Sequence, residues 1–576
     1  MYRKTLAAIL TAAMTVTLLA GCGNSQPQDS GVGTQEQTKV SEESSQSRQS
    51  ESRTQEEQPE NDGDEFVQTW PDGQKIRWFV RGSNTTSPYS RFNDLKAIPI
   101  IEEKFHVDIE FVIANGSNDE IDAQYLAMLT SGDVPDVVCY LHNEAYQGKG
   151  GIPGLYSGGV CMELNDLIEN NMPNLKKIFE TYPDVARDMR TDDGKYLYFQ
   201  RINPLESDTD KMSLSDVGLV MRQDWLDNVG MQAPETIDEW YNVLKAFKDM
   251  DPNGNGIADE IPFDAASSGL TLFEGAFGIS KGAYIDPKTG KVNYGAVTQE
   301  YKSFLEEMNK WYSEGLMANA YDEEGNLAKS DTLDENIAGD IAGSWKGLAN
   351  AAEHKIPLIA EKNPNAALAA VPYPKTKDGE IYIINRNFSR VQRETQIISA
   401  DCEYPEAVAA IIDYMYSDEG SELMLWGEEG VTFEREADGT RKLTEFGIAN
   451  TELPDGSKPQ NYKMYGNQCT GFPAFGLYDI NMASREDWYR EACRTWCQGD
   501  YSINYPKAVS FTEEEQKILN PENSEIDSYI EEMQWKFITG QEPLSNFDTY
   551  LANLERMGIK DRIQVYQDAY DRYLAR

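Results

Sequence analysis

Residues 74–80, QKIRWFV, and residues 107–113, VDIEFVI, are two predicted strands separated by a helical segment at 93–105. A predicted amphipathic helix at 119–130, the turn residues SGDVPD and a third strand at 137–140 follow. Strands that alternate with helices in this way indicate a largely parallel α/β sheet.

The ends of these strands are the first candidate ligand-binding positions. In open α/β sheets the ligand binds beyond the carboxyl ends of the strands. The rule predicts ligand contacts at Ser83 and Asn84 after the first strand, and at Tyr140, His142 and Asn143 after the third. For His142 a ligand hydrogen bond or an ordinary polar loop position are both open, and a catalytic role is not expected.

Residues 251–262, DPNGNGIADEIP, have the composition of a calcium-binding loop. Oxygen-bearing side chains recur at alternate positions, two glycines permit a tight backbone, and two further carboxylates follow. Ca²⁺ takes roughly six to eight oxygen ligands, so a short loop must turn its carboxylates, amides and a carbonyl inward. The predicted ligands are the side chains of Asp251, Asn253, Asn255, Asp259 and Glu260 and the carbonyl of Ile257.

This loop departs from the EF-hand pattern. Pro262 occupies the twelfth position, where an EF-hand has its bidentate Glu, and the acidic residues come earlier. We therefore expect a structural Ca²⁺ site outside the EF-hand class. The alternative is a solvated Asp-Pro-Asn-Gly turn without metal.

The chain begins with an export signal. Arg3 and Lys4 precede an apolar run at 6–20 that is too short to span a bilayer as a mature helix. The run ends in Leu-Ala-Gly-Cys, which resembles the lipobox of bacterial lipoproteins, in which the cysteine is acylated after cleavage. The signal peptide would then be residues 1–21, with Cys22 lipidated at the outer face of the membrane. An ordinary secretory signal with a chance cysteine is the alternative.

A polar segment follows the signal. Residues 22–70 are rich in Ser, Gln and Glu and have too little apolar surface to form a core, which predicts a disordered tether. A flexible chain of about 40 residues has a root-mean-square reach of about 35 Å. The folded part would thus stand clear of the lipid.

Length, charge and cysteine content limit the remaining possibilities. The roughly 500 residues after the tether exceed what one core usually holds, which predicts two domains or lobes. The formal net charge of −45 disfavours a nucleic-acid partner, which needs clustered Lys and Arg. Outside the cell disulfides are possible, but their pairing stays open. The six remaining cysteines are Cys139, Cys161, Cys402, Cys469, Cys493 and Cys497.

Several long segments carry a family resemblance. They are YLAMLTSGDVPDVV at 125–138, MELNDLIENNMPNLKKIF at 162–179, the segment at 222–262 that ends in the calcium loop, and the tail at 537–573. They resemble bacterial extracellular solute-binding proteins that deliver sugars to ABC importers, in the large lipoprotein branch. The loop at 251–262 is similar to the metal loop of the alginate-binding members.

The resemblance implies a periplasmic-binding-protein-like α/β fold with two lobes and a ligand cleft between them. Chain crossings would fall at 198–217 and 373–393, and Trp225 and Trp240 would be core residues of the framework. The implied lobes are 71–205 and 381–435 for the first, 206–380 with the calcium loop for the second, and 436–576 mainly for the second together with C-terminal helices.

Two tryptophans are candidate sugar contacts. Trp345 follows the small residues of IAGDIAGS, and relatives stack an aromatic ring on a sugar at the matching position. Trp426 stands where relatives commonly have Tyr. An indole offers a flat apolar face to a pyranose. For both residues a core position is the alternative.

The sequence therefore favours a lipid-anchored, monomeric receptor that captures a carbohydrate of oligosaccharide length by lobe closure and delivers it to an ABC permease. Peptide binding or a sensory role is the alternative within the same fold, since fold does not fix the ligand. A surface glycoside hydrolase is a further alternative. It would need two carboxylates about 5–9.5 Å apart, and nothing in the sequence selects such a pair. We expect no enzymatic activity.

Overall fold

The computed structural model describes residues 68–82, 92–139, 151–266, 268–318, 320–321, 330–384, 389–392, 396–452, 458–466, 472–476, 478–483, 485, 487–519 and 524–576. Contacts divide the chain into residues 1–67 and residues 68–576, and all described residues belong to the second unit. The predicted signal, the lipidation site Cys22 and most of the tether therefore lie outside the described residues.

The first part of the chain builds the first lobe. The three predicted strands and two predicted helices are confirmed to within a few residues at each end. They are β1 (Gln74–Arg81), α1 (Ala97–Phe105), β2 (Val107–Ala114), α2 (Asn118–Ser131) and β3 (Val137–Cys139). Four further helices of the described residues follow, α3 (Gly151–Ser157), α4 (Asn165–Asn171), α5 (Pro173–Thr181) and α6 (Pro183–Met189). Ser117 and Glu120 form a capping box that begins α2, and Gly132 at φ +74° ends it.

The second lobe follows. Its elements are α7 (Asp208–Ser213), β4 (Val217–Arg222), α8 (Gln223–Val229), α9 (Ile237–Asp249), β5 (Phe263–Asp264), β6 (Ala283–Ile285), β7 (Val292–Tyr294), α10 (Gln299–Ser313), β8 (Met317–Ala318), α11 (Ser330–Ala338), β9 (Ser344–Leu348), α12 (Ala349–Ala360) and β10 (Leu368–Val371).

The chain then returns to the first lobe and ends in the second. The remaining elements are β11 (Ile397–Ile398), α13 (Pro405–Tyr416), α14 (Asp418–Leu425), β12 (Phe433–Arg435), β13 (Arg441–Leu443), α15 (Glu445–Ile448), α16 (Tyr478–Ala483), α17 (Asp487–Trp496), α18 (Glu513–Leu519), α19 (Glu525–Thr539), α20 (Phe547–Met557) and α21 (Ile559–Leu574). None of the helices in the described ranges is long and apolar enough to cross a membrane.

Each lobe has its own sheet. The first has the order β11-β3-β1-β2, in which β1, β2 and β3 are parallel and β11 is antiparallel to β3. The second has the order β10-β4-β9-β5-β8. It is mixed rather than largely parallel, because β4 runs antiparallel to both of its neighbours.

Helices cover both faces of the first sheet. Ile76, Trp78 and Val80 of β1 pack in one cluster, whereas Phe79 packs in the cluster on the opposite face. Successive strand residues point to opposite faces, so this alternation is expected for a sheet buried on both sides. In the second lobe Trp225 and Trp240 are 0% exposed, which confirms them as core residues.

Within the described residues the chain passes from one lobe core to the other three times. Ile202 packs in the first lobe and Met212 in the second, and Ile384 packs in the second lobe and Val391 in the first. Both changes fall within the stretches expected to cross. A third change lies between Ile480 and Met482. Leu443, Tyr462, Phe472 and Ile480 therefore pack in the first lobe, whereas residues from Met482 onward, such as Trp496 and Phe537, pack in the second.

Within the described residues, Cys161, Cys402 and Cys493 carry free thiols. Cys469 lies outside the described residues. Burial raises the pKa of the Cys161, Cys402 and Cys493 thiols to about 12, so they are neutral at ordinary pH.

Candidate ligand cleft

The carboxyl ends of the first-lobe strands face the crossing segments. β11 begins directly after the crossing residue Gln396 and runs antiparallel to β3, with Ile397 opposite Val138. The carboxyl end of β3 at Cys139 therefore lies beside the crossing. Because β1 and β2 run parallel to β3, they end at the same edge of the sheet.

The second sheet presents a matching edge. β4 begins at Val217, soon after the first crossing, and Val217 pairs with Leu348 at the carboxyl end of β9. Strands β5 and β8 run in the same direction as β9, so they also end at this edge. Strand ends of both sheets therefore face the crossing segments. Because α/β sheets bind ligands beyond the carboxyl ends of their strands, the space between these two edges is the candidate ligand cleft.

The crossing segments form a hydrogen-bonded ribbon with residues 199–203 in the middle. On one side Phe199 and Gln396 exchange both backbone hydrogen bonds, at 2.8 and 2.9 Å. On the other side Ile202 N–H donates to the Ala474 carbonyl at 2.9 Å, and Gly476 N–H donates to the Ile202 carbonyl at 3.0 Å. The first two crossings and the segment that leads to the third are therefore joined at one place.

Two buried amides lie in this ribbon without full hydrogen bonding. Gln396 and Asn203 are both 0% exposed. Within the described part of the chain, neither Oε1 nor Nε2 of Gln396, nor Nδ2 of Asn203, has a hydrogen-bond partner. A buried polar group without a partner destabilises the fold by about 1–3 kcal/mol. The unpartnered amide atoms of Gln396 and Asn203 are therefore expected to destabilise the crossing.

One group of predicted ligand contacts lies outside the described residues, next to the described strand ends Gly82 and Cys139. The group consists of Ser83, Asn84, Tyr140, His142 and Asn143. The structure therefore leaves them as predictions.

The two candidate tryptophans are both buried. Trp345 is 2% exposed in the second-lobe core, where it pairs with Val220 of β4. Trp426 is also 2% exposed, with its ring centroid 5.7 Å from that of Phe433. Neither indole offers an open face here, which favours the core alternative for both. Ligand contact by either residue stays a prediction.

Sequence reasoning missed two tyrosines at the second-lobe edge. Half-buried Tyr501 has its hydroxyl 2.8 Å from that of Ser215, which precedes β4 by two residues. Because the Ser215 hydroxyl donates to the Lys211 carbonyl, Tyr501 must be the donor in this pair. Half-buried Tyr382 pairs with Asp500, immediately before Tyr501. The two tyrosines are distant in sequence, so no local pattern marks them as neighbours.

The loop at 251–262 follows helix α9 and turns tightly. Gly254 and Gly256 have φ values of +70° and +77°, which glycine adopts without strain. Asn255 N–H donates to Asp251 Oδ1 at 3.1 Å and to Asn253 Oδ1 at 3.0 Å. The carboxylate and amide oxygens are thereby drawn to the inside of the turn.

The acidic side chains of this loop crowd one another. Glu260 Oε1 is buried and has no hydrogen-bond partner within the described residues. Burial, followed by the neighbouring charges of Asp251 and Asp259, raises the pKa of Glu260. A buried carboxylate oxygen facing two other carboxylates suits a cation. Even so, no group of three or more His, Cys, Asp or Glu in the described ranges has an arrangement that could hold a metal ion.

Comparison with solved structures shows which fold this is. The fructooligosaccharide-binding protein FusA of Streptococcus pneumoniae, solved with kestose, superposes with a TM-score of 0.62 over 87% of this chain and 100% of that chain, at 22% identity. An alginate-binding protein solved without calcium gives 0.59 over 87% and 98%, at 21% identity. The fold with its paired strand edges is that of a two-lobed solute-binding protein.

The chain belongs to the family of bacterial extracellular solute-binding proteins, whose model matches residues 94–422. It is 25% identical to FusA over 518 residues, which cover 86% of this chain and 90% of that protein. It is 24% identical to the polygalacturonan/rhamnogalacturonan-binding protein YtcQ of Bacillus subtilis over 507 residues, which cover 86% and 91%. Family members bind solutes rather than transform them, which agrees with the expectation of no enzymatic activity.

Replacing Gln396 tests whether its unpartnered amide lowers the stability of the fold. Gln396→Met keeps the length of the side chain but removes both unpartnered amide atoms, so we expect the free energy of unfolding to rise by about 1–2 kcal/mol. The control is Gln392→Met in the same segment, because Gln392 Nε2 donates to the Ser389 carbonyl at 2.6 Å. Urea unfolding of both variants measures the difference. If Gln396→Met is less stable than the unchanged protein, the claim that the Gln396 amide destabilises the fold is wrong.

Proposed function

We propose that this protein is a lipid-anchored receptor that captures an oligosaccharide and delivers it to an ABC importer. The observation that carries the proposal is the near full-length similarity to FusA and YtcQ, both named for oligo- or polysaccharide binding. The proposed anchor is Cys22, at the end of the export signal. The receptor would act as a monomer at the extracellular face of the membrane.

The proposed mechanism is closure of the two lobes about the crossing ribbon. A sugar that contacts both strand edges gains contacts available only in the closed arrangement, so it shifts the population toward closure. A dissociation constant of 1 μM corresponds to about 8 kcal/mol. Stacking on Tyr501 and Tyr382, with hydrogen bonds from the loops after β1 and β3, would supply part of that free energy.

We propose a neutral ligand in preference to an acidic one. The two relatives differ in this respect, because fructooligosaccharides are neutral whereas polygalacturonan is a polyanion. The formal net charge of −45 repels a polyanion at long range. A neutral oligosaccharide is free of that penalty.

We also propose that the loop at 251–262 holds a structural Ca²⁺. The supporting observations are its inward oxygen atoms and the unpartnered, buried Oε1 of Glu260. The side chains of Asp251, Asn253, Asn255, Asp259 and Glu260 and the Ile257 carbonyl would hold the ion. The ion would neutralise crowded carboxylates and fix the loop at the end of α9.

The ligand proposal predicts a thermal shift that depends on ligand class. Neutral fructooligosaccharides should raise the melting temperature, because a ligand at 100 times its dissociation constant stabilises the native state by about 2.7 kcal/mol. Oligogalacturonates and short peptides, at the same concentration, should leave it unchanged. A shift with peptides alone would contradict carbohydrate capture, and a shift with galacturonates alone would contradict the neutral ligand.

A substitution of Tyr501 tests its place in the cleft. Tyr501→Ala should weaken binding about three- to tenfold or more, since an aromatic contact contributes about 0.5–1.5 kcal/mol beyond its buried area. Tyr501→Phe, which keeps the ring, should bind within about twofold of the unchanged protein. The control is Tyr312→Ala, because Tyr312 is 41% exposed and precedes β8 by five residues, on the side of the amino end of that strand. Isothermal titration measures the four affinities, and equal affinities would remove Tyr501 from the site.

Chelation tests the metal. EDTA should lower the melting temperature and Ca²⁺ should restore it, because a metal bound only by the native state adds to its stability. Glu260→Gln should reduce this difference. Asp249→Asn is the control, since Asp249 is an exposed carboxylate two residues before the loop. If EDTA has no effect on the unchanged protein, the loop is an ordinary turn.

A further inference from the structure

The final helix, α21, belongs to the second lobe. Ile559 packs in the second-lobe core, and Arg562 donates to Asp527 of α19 at 2.8 Å. Farther along, Gln567 accepts a hydrogen bond from the backbone of Val292 at 2.9 Å. These contacts fix α21 to the second lobe along most of its length.

The last turn of α21 and the two residues that follow it reach the first lobe through Arg572 and Arg576. Asp192, just after α6, accepts from Arg572 Nε at 3.0 Å and from Arg576 Nε at 2.8 Å. Arg572 also holds Glu515 at 2.7 and 2.6 Å. The Arg576 side chain is only 2% exposed. Burial alone would raise the pKa of Asp192, but the arginine hydrogen bonds outweigh it and hold the pKa below its usual value.

A second contact joins the last turn to the crossing itself. Tyr573 donates from its hydroxyl to Asp188 Oδ1 at 2.6 Å, and the Arg187 guanidinium lies 4.5 Å from the centre of the Tyr573 ring. The other oxygen of Asp188 accepts from Ser389 at 3.1 Å. Ser389 lies two residues before Val391, which pairs with Ile202 in the crossing ribbon. Asp188 therefore binds α21 and a crossing segment together.

We propose that the last turn of α21 is a fourth connection between the lobes, a hinge strut that sets the axis about which they close. The strut consists of Arg572, Tyr573 and Arg576 of the second lobe with Asp188 and Asp192 of the first. The inference rests on the proposed capture by lobe closure, and it adds a positioning role for residues that need not touch the ligand.

The position of the strut determines the direction of its effect. Contacts next to a hinge axis move little when the lobes rotate, so the strut persists in both arrangements. Without it the lobes sample a wider range of orientations, and the binding-competent arrangement is a smaller fraction of them. The apparent affinity falls by that fraction.

The test compares the double variant Arg572→Ala/Arg576→Ala with Lys560→Ala. Lys560 lies in the first turn of the same helix, pairs with Glu555 and is 73% exposed, so its loss leaves the strut intact. Hydrogen exchange is measured on ligand-free protein, and affinity is measured with the glycan that gives the thermal shift. We expect faster exchange at 199–203 and 389–392 in the double variant alone, and an affinity about two- to thirtyfold lower.

Each result decides the proposal. Unchanged exchange at the crossing segments overturns the strut, whatever the ligand is, whereas failure of every glycan to bind overturns only the proposed function. If the double variant unfolds the second lobe, Tyr573→Phe replaces it, because this change removes only the hydroxyl that binds Asp188. Exchange that is faster at the crossings in Tyr573→Phe then supports the strut, and unchanged exchange overturns it.

Discussion

The backbone hydrogen bonds of Ile202 are the constraint on which the two-lobed arrangement depends. Its N–H and C=O groups bind the segment at 474–476, and neighbouring residues bind the segment at 390–396. The first two crossings and the segment that leads to the third are therefore held together by backbone hydrogen bonds. Each lobe is assembled from separate parts of the chain, so neither lobe is one continuous segment of the sequence.

The second lobe is organised around a buried ion cluster beside the proposed metal loop. The Arg222 side chain is 0% exposed and holds Asp224 at 2.8 and 2.6 Å, together with Asp340. Removing one partner of such a cluster would leave a buried charge uncompensated, which destabilises strongly. The cluster also joins β4 to the chain that leads into β9, so it aligns the antiparallel centre of the sheet.

Local elements could be predicted from the sequence because periodicity and capping are local signals. The strand at 74–80 and the helix at 119–130 were placed within about one residue by alternation and amphipathicity. Two features could not be predicted from the sequence, because both depend on partners that are distant along the chain. They are the antiparallel pairing of β4 with β9 and the crossing near Ile480. Trp345 illustrates the limit for the site. Its glycine-rich context fits a cleft, but pairing with β4 places the indole in the core.

The loop at 251–262 is linked to the segment that leads into β9, where Ile261 pairs with Ala342. Asn253 adds a side-chain link to the same segment. Asn253 Nδ2 donates to the Asp340 carbonyl at 3.0 Å, and Asp340 binds Arg222 through its side chain. Asp340 adopts φ +62°, an unusual conformation for a residue other than glycine, so its surroundings must hold it there. Anything that stiffens Asn253 therefore also stiffens the entry to β9, whose carboxyl end lies at the cleft edge. By this path an ion bound in the loop would set the rigidity of the second-lobe edge without approaching the ligand.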